Sequence, residues 1–134
     1  MALAGHYETV FRLGEQGERV FRDFVEQCIN DAAHHAVMVA ELEDQIAGYG
    51  IVVVESANPY FQARQYAYIT DLDIHATFRR QGIGEQLLAA LKAWCIDKSI
   101  QRIEVSVSTQ NPLASHFWQK SGFATYYETK YLML

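Results

Sequence analysis

The sequence predicts a mixed α/β (α+β) fold: a mostly antiparallel sheet containing one parallel strand pair, with helices on both faces. Three observations point there. Two long stretches carry apolar residues at helical spacing, and the segments between them are rich in β-branched residues with period-two alternation. One of the helical stretches lies between two strand patterns, which makes a βαβ unit whose strands run parallel. The chain's 134 residues, half of them apolar, suit a single domain spanning 1–134 that buries a core without a metal or disulfide.

Taken in order, residues 7–13 read as a short extended segment. Val20, Phe21, Phe24, Val25, Cys28 and Ile29 form two apolar rows four residues apart, which predicts an amphipathic helix over 15–30. Residues 36–42 and 46–54 read as strands joined by the polar Glu43-Asp44-Gln45 turn. A loop with Asn58-Pro59 leads to a third strand, Gln65–Ile74, completing an antiparallel meander.

The pattern then changes. Residues 76–81 form a polar connection ending in Gly82-Ile83-Gly84, after which Ile83, Leu87, Leu88, Leu91, Trp94 and Cys95 recur at helical spacing to Lys98. Residues 102–108 alternate, with Ile103, Val105 and Val107 on one face. Asn111-Pro112 reads as an N-cap followed by a proline in the first helical turn, and Gly122 as the glycine that ends that helix. Residues 123–134 supply a last strand.

Composition excludes several functions. The formal net charge is −5 and no basic block is present, which argues against a nucleic-acid partner. No apolar run exceeds five residues, too short to cross a bilayer, and with no leader pattern the chain reads as cytoplasmic. Cys28 and Cys95 read as buried free thiols. His34-His35 and His116 lack metal-ligand spacing and acidic or thiol companions, so no metal site is expected.

The segment with chemical content runs from Leu72 to Glu85: strand, basic glycine-containing loop, helix. Such a loop places unpaired backbone N–H groups at the positive end of a helix dipole, where a pyrophosphate fits. Glycine at 82 and 84 lets the backbone approach the anion, while Arg79 and Arg80 add positive charge. Neither the Gly-Lys-Ser/Thr ending of a P-loop nor a full Gly-x-Gly-x-x-Gly is present.

Arg79-Arg80-Gln81-Gly82-Ile83-Gly84 resembles the Gln/Arg-x-x-Gly-x-Gly/Ala loop of the GNAT family of N-acetyltransferases. The later block Asn111…Ala114…Phe117-Trp118-Gln119-Lys120-Ser121-Gly122-Phe123 resembles that family's second motif, and the likeness extends over residues 36–134. The resemblance implies acetyl-CoA as co-substrate and a primary amine, small molecule or peptide, as acceptor. It implies that the strand Leu72-Asp73-Ile74 splays from its parallel neighbour and hydrogen-bonds the pantetheine arm through its backbone. Arg79, Arg80, Gln81, Gly82, Ile83, Gly84 and Glu85 would wrap the pyrophosphate, with Asn111 facing the pantetheine and Phe117 lining the thioester end.

By the same resemblance the amine attacks the thioester directly, and the Ile74 N–H is the candidate donor to the carbonyl. Where the family often places a tyrosine to protonate the departing thiolate, this chain has Trp118, whose indole N–H is no acid. Tyr126, Tyr127 or water is then the proton source. Thr70 stands where a catalytic glutamate is common, which leaves Asp71 as the preferred general base, with Asp73 and His75 close by. The segment 31–35 is shorter than in many relatives, which implies an open cleft, a larger substrate, or completion by a second subunit in a homodimer. A rival from another class is a non-catalytic acyl-CoA-binding sensor or interaction module.

Overall fold

In a computed structural model of the chain, the described residues are 2–4, 17–56, 60 and 65–134. The expected extended segment at 7–13 and the Asn58-Pro59 loop lie outside them. The element order is β1 (Ala2–Ala4), α1 (Gly17–Asn30), β2 (His35–Leu42), β3 (Gln45–Ser56), β4 (Gln65–Ile74), a 3-10 turn (Ala76–Phe78), α2 (Ile83–Asp97), β5 (Ile103–Val105) and α3 (Pro112–Lys120).

β2, β3 and β4 form the expected antiparallel meander. The β2–β3 turn is tighter than its composition suggested. Leu42 pairs with Gln45, so only Glu43 and Asp44 make the loop, and both have positive φ (54° and 59°), the conformation that matches strand twist in two-residue hairpins. β5 joins β4 in parallel through Ala67–Ile103, Tyr68–Glu104 and Ile69–Val105, which places α2 as the crossover of a βαβ unit. The strand order is β1-β4-β3-β2, with β5 sharing the outer edge of β4.

Register sorts the side chains between two faces, because directly opposed residues project to the same side. Gly48–Ile74, Gly50–Leu72 and Val52–Ile69 face α2, whose Ile83, Leu87, Leu88, Leu91 and Cys95 complete the core. A Cβ on Gly48 would stand 2.7 Å from the Asp73 carbonyl, and one on Gly50 would stand 2.9 Å from Leu91 Cδ1. The two glycines therefore set how closely α2 approaches the sheet. Tyr49–Asp73 and Ile51–Asp71 face the other side, where Phe21 of α1 meets the Tyr49 ring at 6.1 Å. Only the row Phe21, Phe24, Val25 and Cys28 of α1 turns inward, while Val20 and Ile29 stay exposed.

Two expectations are corrected. No strand forms over residues 123–134: Phe123 docks edge-to-face on Trp118 and donates its N–H to the Trp118 carbonyl, and the residues beyond are mostly exposed. The tyrosines and threonines there favour extended backbone, but a strand needs a neighbouring ladder, and β5 offers three residues. The connection after β4 is also less polar than it reads. Its Phe78 is 4% exposed and anchors the 3-10 turn in the core.

Candidate active site

β4 is irregular at the position that matters most. Val52 lies opposite Ile69 and Ile51 opposite Asp71, so Thr70 has no cross-strand partner and forms a β-bulge. On its outer edge β4 parts from β5 at the same point, since the parallel register ends at Ile69–Val105. The two strands fork there. The Thr70 hydroxyl sits at the apex, buried and without a hydrogen-bond partner among the described residues.

Beyond the fork, backbone polarity follows from the ladder. The His75 N–H donates to the Ala47 carbonyl at 2.7 Å, which makes Gly48–Ile74 a non-hydrogen-bonded pair. The N–H and C=O of Ile74, and by alternation those of Leu72, therefore point to the outer edge of β4. This is the edge on which the sequence reading seated a pantetheine arm. In the structure β1 runs antiparallel along it, with Ala2 opposite Asp73 and Ala4 opposite Leu72, and also lies close to α3.

The loop at the end of β4 has the features of an anion cradle. His75 accepts a hydrogen bond from the Thr77 N–H at 3.3 Å, and Arg79 Nε donates to the Ile74 carbonyl at 3.4 Å, fastening the loop to the strand end. Arg80 (φ 64°) and Gly82 (φ 76°) both adopt the left-handed conformation, the kind from which anion-binding nests of backbone N–H groups are built. Gly82 is the N-cap of α2 and no side chain caps it, so the first-turn amides of Ile83, Gly84 and Glu85 carry the positive dipole end. A Cβ on Gly82 would meet nothing within 4 Å. The positive φ at 82 is one that glycine adopts without strain, and the space beside it is open to an anion. Acetyl-CoA fits these residues: an uncapped helix end above open space is suited to a pyrophosphate.

The opposite face carries the carboxylates. Asp71 and Asp73 project toward α1 together with Tyr49 and Tyr68. Burial pushes the Tyr49 phenol well above the ordinary tyrosine range, and the charges of Asp71 and Asp73 push it further. Burial also raises the Cys28 thiol of α1, with the charges of Asp71 and then Asp31 adding to the effect. On the β5 side of the fork, the Tyr68 hydroxyl donates to Ser106 Oγ at 2.7 Å.

The remaining candidates fall around this frame. Asn111 caps α3, its Oδ1 accepting from the Ala114 N–H at 3.1 Å. Phe117 is half-buried and packs edge-to-face on Trp118, which is itself 2% exposed and part of the core. The Tyr126 hydroxyl donates to Glu104 Oε1 at 2.7 Å, and the Arg102 guanidinium lies over its ring at 4.8 Å. That bond to Glu104 raises the Tyr126 phenol, so the group holds its proton more firmly than a free tyrosine. His34 and His35 both turn Nδ1 to Asp31, at 3.1 Å to its carboxylate and 3.1 Å to its carbonyl.

The profile of the acetyltransferase (GNAT) family matches residues 3–123. The chain belongs to that family. An L-ornithine N5-acetyltransferase of Arabidopsis thaliana is 28% identical over 100 residues, 75% of this chain but 43% of the relative, so the chain spans less than half the length of that relative. Among solved structures, a predicted acetyltransferase with acetyl-CoA from Clostridium acetobutylicum superposes with a TM-score of 0.74 at 21% identity, covering 94% of this chain and 80% of that one. AAC(6')-Iy in complex with the bisubstrate analogue CoA-S-monomethyl-acetylneamine gives 0.74 at 19% identity, covering 90% and 82%. At these identities the two structures establish the fold.

Sequence reasoning missed the fork's chemistry. The residues did signal the bulge: the core-facing apolar positions are odd before Thr70 (Ala67, Ile69) and even after it (Leu72, Ile74), a change of parity that marks an inserted residue. The alternation over 102–108 did contain the placement of Ser106, on the face opposite Ile103, Val105 and Val107.

Proposed function

We propose that this GNAT domain is an N-acetyltransferase that moves an acetyl group from acetyl-CoA to a primary amine by direct attack. The observation that carries the reading is the continuity of three features: an outer β4 edge, a left-handed loop at its end, and an uncapped α2 N-terminus. Acetyl-CoA supplies an activated acyl group with a thiol leaving group. Arg79 to Glu85 would hold its pyrophosphate, with Glu85 contributing its backbone, since a carboxylate in the first turn repels phosphate. The outward-facing amides of Leu72 and Ile74 would hold the pantetheine and carbonyl, which requires β1 to leave that edge. Asn111 and Phe117 flank the same channel from α3.

Asp71 serves as general base on the α1 face, taking the ammonium proton directly or through water. Asp73 adds a second negative charge beside it, and a cationic acceptor is attracted to both. Ornithine in the name of the plant relative and acetylneamine in the bound analogue are both amines, which supports an amine acceptor here.

The test is release of free CoA thiol from acetyl-CoA, followed with and without a panel of diamines, amino acids, aminoglycosides and short peptides. The reading predicts release that depends on an amine and is lost in Asp71→Asn. Tight acetyl-CoA binding with no release for any amine would instead establish the binding-module reading, which the burial of Trp118 at the usual acid position favours.

A further inference from the structure

Trp118 lies in the core and the Tyr126 hydroxyl is held by Glu104, so neither is placed to protonate the leaving sulfur. The β4–β5 fork contains a group with the right character. Ser106 is the first β5-side residue past the end of the parallel register, directly across the fork from Thr70. Its placement follows from the alternation that sends Ile103 and Val105 to the α2 face with their partners Ala67 and Ile69, and Glu104 and Ser106 to the face of Tyr68. Both Tyr68 and Ser106 are half-buried.

The direction of the Tyr68–Ser106 bond matters. A serine hydroxyl has one proton to give and two lone pairs to receive with. At 2.7 Å Tyr68 gives its proton to Ser106 Oγ and fills one of those lone pairs. A hydroxyl that is already accepting becomes a better donor, because hydrogen bonds in a chain polarise one another. Ser106 therefore keeps its own proton for a partner in the fork.

We propose that Ser106 is the catalytic donor to the departing CoA sulfur, and that Tyr68 is the positioning residue that polarises it. The proposal rests on the acetyltransferase reading above. As the amine nitrogen bonds to the acyl carbon and the carbon–sulfur bond breaks, the sulfur takes the electron pair. Ser106 passes its proton to the sulfur, Tyr68 passes its phenolic proton to Ser106 Oγ, and the phenolate recovers a proton from water. The ammonium loses two protons in all: one is balanced by the proton on the sulfur and the other goes to solvent. The relay is feasible because phenols and thiols titrate within about two pH units of each other.

A hydrogen-bond donor aimed at the sulfur also acts on bound CoA without any turnover. It stabilises the thiolate and lowers the pH at which the bound thiol ionises. The experiment is a pH titration of CoA bound to the protein, followed by the ultraviolet absorbance of the thiolate, in wild type, Ser106→Ala, Ser106→Thr and Tyr68→Phe. Steady-state rates are measured in parallel. Expected are bound CoA ionising below free CoA in wild type, a return toward free CoA in Ser106→Ala, recovery in Ser106→Thr, and an intermediate result in Tyr68→Phe. With this goes a fall in kcat of roughly a hundredfold or more for Ser106→Ala, the scale of general-acid contributions, at little-changed KM for acetyl-CoA. Thiol ionisation in Ser106→Ala identical to wild type would overturn the assignment while leaving the acetyltransferase reading intact. Absence of CoA binding to wild type would overturn both.

Discussion

Tyr49 of β3 faces Asp73 of β4 directly across the ladder, and its phenol is shifted upward by burial and by the charges of Asp71 and Asp73. A folded-state value above the unfolded one favours the neutral phenol in the native protein. Its contribution to stability is complete below the ordinary tyrosine value of about 10 and declines as pH rises past it. Urea unfolding from about pH 8 to about pH 11 checks the sign, since this span brackets ordinary phenol ionisation. Wild type is expected to lose more stability above pH 10 than Tyr49→Phe does. Parallel losses in the two proteins would mean that the phenol is not displaced.

Gly48 and Gly50 are needed for different degrees of closeness. A methyl on Gly48 meets the Asp73 carbonyl, which is backbone and cannot yield, whereas on Gly50 it meets the ends of the Leu91 and Leu72 side chains. Gly48→Ala is expected to destabilise by ~1–3 kcal/mol, the range for overpacking, and Gly50→Ala by less. Denaturant midpoints with unchanged m-values would show this order, and the reverse order would contradict the packing account.

Thr70 carries a buried hydroxyl with no partner among the described residues. Removing an unsatisfied polar group while keeping its shape relieves a penalty of ~1–3 kcal/mol. Thr70→Val is therefore expected to stabilise the unliganded protein, as read by thermal unfolding. Destabilisation would reveal a hydrogen bond that the hydroxyl makes in solution.

β1 lies where the pantetheine arm is expected, with Ala4 opposite Leu72 and Ala2 opposite Asp73. Binding must then break this short pairing, at about 1 kcal/mol per hydrogen bond. A chain lacking residues 1–4 is expected to bind acetyl-CoA more tightly, by up to about tenfold per 1.4 kcal/mol released. Equal or weaker affinity would mean that β1 does not occupy the cofactor's edge.

Much of this arrangement was legible in the residues. β4 begins and ends where its alternation does, at Gln65 and Ile74, and α2 starts at Ile83, where the apolar period changes to helical. Asn111-Pro112 and Gly122 mark the ends of α3 because capping and left-handed termination are local. What stayed hidden depends on partners. The parity change at Thr70 could be read, but the β3 residues flanking the bulge, Ile51 and Val52, could not, and β1 is three residues with no pattern of its own. Residues 123–134 have strand chemistry, yet no ladder receives them. The Asp71–Asp73 face was legible from period two, but its neighbours Tyr49 and Cys28 come from distant segments.

The central claim is that the loop from Arg79 to Gly84 and the α2 N-terminus bind the pyrophosphate of acetyl-CoA. Calorimetric titration of wild type and Arg79→Glu with acetyl-CoA, side by side, tests it most directly. The account predicts saturable one-site binding to wild type, weakened by about tenfold or more when a phosphate-facing cation becomes an anion. Equal affinity in the two proteins, or no binding to wild type, would contradict it.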